Sequence, residues 1–161
     1  MIKYYCQIQQ NTVYYNMAKK NLIKNKALEL CMEAGESVTP NRVNILDLLI
    51  ENKDPLAAYE IKDMLKNSNN DLNISSIYRV LDFWIKMKVV HKLSILNKYV
   101  LCSNPDELHT HITNICTKCS SVVETCNENM GLNLKESTKN MGVALTPDIN
   151  VEIPVLCANC K

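Results

Sequence analysis

Through the front of the chain, apolar residues recur three and four positions apart, the spacing that puts them on one side of a helix. Ile23, Ala27, Leu30, Cys31 and Ala34 predict a helix from about Met17 to Ala34, and Gly35 stops it. The stretch "TPNRVNILDLLIENK" opens with Thr39 as N-cap and Pro40 at the first helical position, and buries Ile45, Leu46, Leu49 and Ile50. After Pro55, "AAYEIKDMLKN" predicts a third helix with Ala58, Ile61, Met64 and Leu65 inward. A polar turn leads to "ISSIYRVLDFWIKMK", a fourth helix capped by Ser75 or Ser76. Its inner face is Ile77, Val80, Leu81 and Trp84, while Tyr78, Arg79, Asp82 and Lys86 point away. Cys31 falls on an apolar face and reads as a small buried hydrophobe.

The period then changes. "VVHKLSILNKYVLC" predicts two strands around a turn near Leu96–Asn97. Helices that end in a β-hairpin are the layout of a winged helix-turn-helix, whose last helix enters the DNA major groove. The remainder predicts a strand in "HTHITNIC", a strand in "SVVET", a helix about Asn127–Met141 with Met130, Leu134 and Met141 inward, and a strand in "NVEIPVLC". The fold class expected is therefore α+β: a winged helix-turn-helix domain over 1–98, whose residues 1–16 are a loose extension, and a small α/β domain over 99–161.

Charge sharpens that division. Residues 1–98 carry 14 Lys/Arg against 10 Asp/Glu, and residues 99–161 carry 4 against 7, so a mildly basic half precedes an acidic one. No apolar run approaches the roughly 20 residues that span a bilayer, and the N-terminus lacks the apolar core of a secretory signal. The expected compartment is the cytoplasm, with no membrane partner. In a reducing compartment the eight cysteines point to metal ligation before disulfides.

Two C-x2-C pairs, Cys116/Cys119 and Cys157/Cys160, stand 37 residues apart, each after a predicted strand. Two such knuckles supply four thiolates, the closed tetrahedral set of a structural zinc site; rubredoxin-type iron shares the spacing. Neither pair opens a helix within a βαβ unit, which argues against thioredoxin-like chemistry. A second set of donors is His91, Cys102, His109, His111, Glu124 and Cys126. A two-residue turn at Leu96–Asn97 would set His91 directly opposite Cys102, close enough to share a metal ion. Nitrogen, sulfur and oxygen donors together suit reversible binding better than four thiolates do. On the fourth helix, Arg79 suits a guanine edge, and Tyr78 a thymine methyl or a phosphate. No H-E-x-x-H, G-x-S-x-G or phosphate-cradling glycine loop is present, so no catalytic residues are assigned and no enzyme or small-molecule substrate is expected.

"TPNRVNIL", "AAYEIKDML", "SIYRVLDFWIKMKVVHKL", "NKYVLC", "HTHITNICTKCSSVVE" and "MGVALTPDINVEIPVLCANC" together resemble the ferric uptake regulator superfamily of metal-sensing repressors, from about Ala18 to Cys160. "LHTHITNIC" replaces the histidine-rich run of the iron- and peroxide-sensing branches, which favours the zinc-uptake branch. The resemblance implies a homodimer that binds palindromic operator DNA when zinc-loaded and represses zinc-uptake genes. It implies structural zinc on Cys116, Cys119, Cys157 and Cys160, and regulatory zinc on His91, Cys102, His109 and Glu124, with His111 as the alternative third ligand. It also puts Tyr78 and Arg79 against DNA. Rival readings are an iron or peroxide sensor of the same superfamily, a structural zinc-ribbon protein that recruits partners, and a metallohydrolase.

Overall fold

The computed structural model describes residues 20–52, 54–102, 105, 111–125, 138, 141–143 and 150–161. The expected extension at 1–16 and most of the expected helix at Asn127–Met141 lie outside them. Contacts divide the chain into two units: one runs to Lys92 and resumes over Tyr99–Pro105, and the other holds Leu93–Lys98 and the residues from Asp106 onward.

In the first unit, α1 (20–33) ends where Gly35 takes φ +67 and the chain closes on itself, Glu36 N–H to Cys31 O at 2.9 Å and Gly35 N–H to Met32 O at 3.1 Å. This paired cap satisfies carbonyls that the helix end leaves open. Helix α2 (Pro40–Glu51) starts as its sequence predicts, with Thr39 Oγ1 accepting from Arg42 N–H at 3.4 Å. Helix α3 (Ala58–Asn67) is capped in reverse: Glu60 reaches back to the Ala57 N–H at 2.6 Å.

Helix α4 (Ile74–Lys86) begins earlier than Ser75 or Ser76 would allow. Asn73, in extended backbone, accepts from Ser76 N–H at 2.8 Å, a role asparagine fills as well as serine. The four helices meet around Ala27, Cys31, Ile45, Leu46, Ile61, Ile77, Leu81 and Trp84, all fully buried.

Strands β1 (Val90–Leu93) and β2 (Lys98–Leu101) follow, with Leu56 bridged to Tyr99 as a one-residue third strand. The turn between them spans Ser94–Asn97, four residues where the sequence suggests two. The favoured two-residue hairpin turns ask the first central residue, here Leu96, for positive φ, and one of them asks the second as well. Asn97 takes it, at φ 50, but Leu96 does not, because a leucine is strained there. Cys102 N–H accordingly donates to Val89 O at 2.8 Å, a register in which His91 meets Val100 instead of Cys102.

In the second unit, β3 (His111–Cys116) lies between β4 (Val122–Thr125) and β5 (Asn150–Val155), antiparallel to the first and parallel to the second. Helices gathered in one unit and a mixed sheet in the other make the chain α+β. Met141 departs from expectation. It stands 71% exposed in a turn, where Gly142 takes φ +69 and Val143 N–H returns to Thr138 O at 3.1 Å.

Candidate metal centre and nucleic-acid face

Cys116 closes β3, and Cys157 lies just beyond the end of β5. The parallel register sets Cys116 beside Val155, and Thr117 N–H donates to Val155 O at 2.9 Å, so the two knuckles start from one end of one sheet. Each folds into a tight turn: Ser120 N–H returns to Cys116 O at 2.9 Å, and Cys160 N–H to Cys157 O at 2.9 Å. Lys118 Nζ crosses from the first knuckle to the Cys160 carbonyl at 3.0 Å. As the spacing predicts, the four sulfurs of Cys116, Cys119, Cys157 and Cys160 lie within 4.8 Å of one another.

The geometry fits a tetrahedral ion. Four sulfurs bonded to zinc at about 2.3 Å stand about 3.8 Å apart, and Cys119 Sγ lies 3.7 Å from Cys157 Sγ. Acidity differs among Cys116, Cys119 and Cys160. The Cys157 N–H, 3.4 Å from Cys116 Sγ, leads the hydrogen bonds that bring the Cys116 thiol down to about 6. The Ser121 hydroxyl, 3.3 Å away, lowers Cys119. Cys160 goes the other way, pushed up to about 12 chiefly by its contacts with the Cys157 and Cys119 sulfurs. Crowded thiols cannot all ionise without a cation, and a divalent ion reverses that balance.

The second donor set is brought together only in part. Cys102 is 1% exposed and His91 half-buried; the corrected register makes them diagonal neighbours on one face of the hairpin. Diagonal residues sit roughly 7–8 Å apart, still within reach of long side chains. Glu124 lies on β4 opposite Thr113, and His111 on β3 beside Asn150, while both side chains are outside the described set. His109 and Cys126 lie outside the described residues altogether.

On α4, Arg79 is exposed, as expected for a residue that reaches a ligand. Tyr78 does not point away. Its half-buried ring packs on the core edge, the amphipathic use of a tyrosine. Phe83, absent from the predicted inner face, is 7% exposed: it belongs to the core cluster, and the Arg42 guanidinium lies 3.4 Å from its ring centroid. No local pattern announces this pairing, since it joins residues on different helices.

Residues 33–153 match the model of the ferric uptake regulator family. The zinc uptake regulation protein of Escherichia coli (strain K12) is 32% identical over 136 residues, which span 84% of this chain and 79% of that protein. A solved zinc uptake regulator complexed with zinc and DNA superposes with TM-score 0.75 at 30% identity, covering 88% of this chain and 94% of that one. Holo XcZur gives 0.71 at 30% identity, covering 88% and 97%. With its helical unit, its mixed sheet and its four-thiol end, the chain belongs to the ferric uptake regulator family.

Proposed function

We propose that the protein is a zinc-responsive transcriptional repressor, which binds operator DNA as a zinc-loaded homodimer and represses zinc-uptake genes. The observation that carries this reading is the four-thiol cluster, whose spacing suits zinc, in a chain similar to zinc uptake regulators. The helical unit is the DNA-binding part, with Tyr78 and Arg79 of α4 toward the duplex. Tyr78 contributes the exposed part of a half-buried side chain, and Arg79 the exposed cation that reads a base. The sheet unit holds structural metal and dimerises. Bound there, zinc would supply four bonds between segments far apart in sequence, and so contribute directly to folding.

A second, weaker zinc belongs to the switch, on His91, Cys102, His109 and Glu124, with His111 the alternative to His109. A metal acts as co-repressor only by binding the DNA-competent state more tightly than the other. The family is one of uptake regulators, and a regulator has no need of a catalytic group. The cytoplasm, where DNA is, is the compartment this reading requires.

The test measures metal stoichiometry together with DNA binding while free zinc is buffered across a range. Two zinc ions per chain, with the second taken up as sequence-specific binding appears, is the expected result. Binding restored by ferrous iron and not by zinc would move the protein to the iron-sensing branch. A folded chain that binds no duplex in any metal state would leave the zinc-ribbon reading.

A further inference from the structure

Arg42 has no part in the metal centre, and its side chain, 20% exposed, is held by contacts within its own unit. Its guanidinium stacks over Phe83, 3.4 Å from the ring centroid. The same group donates to the Ser37 carbonyl and lies 3.7 Å from the Glu36 carboxylate. Its own carbonyl accepts from Trp84 Nε1 at 3.0 Å. Glu36 extends the set, taking Lys86 Nζ at 3.1 Å. One residue of α2 thus grips α4 at Phe83 and Trp84, and through Glu36 the link continues to Lys86.

Phe83 lies four positions after Arg79, one helical turn along the same side of α4. Whatever holds Phe83 therefore holds the roll of the helix at the point where Arg79 projects. A side chain about 6 Å from the axis moves about 1 Å for a 10° roll, more than a bidentate hydrogen bond tolerates. The close-packed core already resists such a roll, and the contacts of Arg42 add a directional restraint to it. A planar cation stacked on a ring and tied at its edges has one good position.

We propose that Arg42 is a positioning residue for DNA recognition: it sets the roll of α4, and hence the base-reading reach of Arg79, without touching DNA. The proposal rests on the regulator reading above. Its test uses the zinc-loaded full chain, the duplex that this chain enriches from a randomised pool, and a scrambled duplex of equal length. Arg42→Lys keeps the charge and loses the planar stack and fork. Affinity for the enriched duplex should fall about 10-fold or more, the scale of a misplaced base contact. Affinity for the scrambled duplex, which follows charge, should stay within about 2-fold. Phe83→Leu, which keeps the apolar volume and removes the ring, should repeat the pattern and decides the matter if Arg42→Lys fails to fold. Unchanged preference in the folded variants, equal loss on both duplexes, or loss of the fold in both would overturn the proposal. A wild-type chain that enriches no duplex at any free zinc would instead remove the regulator reading itself.

Discussion

Arg79 and Ser120 show how differently single residues announce themselves. Arg79 is legible because it falls off the apolar stripe of a well-marked helix, and it is indeed exposed. If it reads a base, Arg79→Ala weakens binding to the preferred duplex by about 1–3 kcal/mol and relaxes one position of the preference. Binding titrations on single-base variants of that duplex measure both effects. Ser120 is not legible. It follows a knuckle and takes φ 58, a left-handed conformation that costs a residue with a side chain about 1 kcal/mol. Nothing about a serine signals that demand. Ser120→Gly relieves the strain, and its larger unfolded-state entropy offsets part of the gain. A small net rise in thermal midpoint is expected, by calorimetry of the zinc-loaded chain; a fall would mean that the serine is held by more than its backbone.

At the scale of elements, period is a good guide, and boundaries are a guide at α1 and α2 but not at α4 or the hairpin. The apolar spacing marks α2, α3 and α4 with their main buried positions, because a stripe of several residues averages over local exceptions. Caps and turns depend on one residue's backbone, so Asn73 caps α4 and the hairpin turn is four residues long. Asn73→Ala removes the acceptor for Ser76 N–H and should cost about 1 kcal/mol of stability, read from denaturant unfolding with an unchanged slope. The shifted register leaves His91 and Cys102 on one face of the hairpin. Either His91→Ala or Cys102→Ser should therefore keep the fold and the tightly held zinc while losing the weaker zinc and zinc-dependent DNA binding. Metal analysis after dialysis, paired with titration against DNA, separates the two losses. A Cys102→Ser chain that answers to the same free zinc as wild type would move the switch to other donors.

For the whole molecule, a knuckle after each of two predicted strands foretold the four-thiol set and a sheet that assembles it, but not the sense of the pairing. The β3–β5 pairing is parallel and reaches across a long crossover, for which a local pattern carries no signal. The acidity of the assembled thiols gives the chain a pH dependence. Ligation requires thiolates, so zinc binding strengthens as pH rises. Cys116, at about 6, has already lost its proton at neutral pH, whereas Cys160, at about 12, has kept it for the metal to displace. Below about pH 6 each zinc must displace one proton more, so affinity should fall more steeply with pH there than above. Competition with a chelator across that range reports the slope, and a single slope throughout would contradict the assignment of Cys116. Cys116→Ser should cost the second unit its fold together with one zinc per chain, visible as lost metal and increased hydrogen exchange in β3 and β5.

The parallel register also has a kinetic consequence. His111 meets Asn150 and Cys116 meets Val155, so every pair in that ladder closes a loop of 39 positions. The helical unit is built largely from neighbours in sequence, and chains rich in such contacts collapse sooner than those that must wait for distant ends. Refolding should therefore run in two phases. The early one is reported by fluorescence of the single tryptophan, Trp84, buried among the helices. The later one should coincide with zinc uptake, and a chelator present from the start should abolish it while leaving the tryptophan signal intact. In that interval the four sulfurs are bare, and a newly made chain is open to the wrong metal or to an oxidant until the sheet has closed.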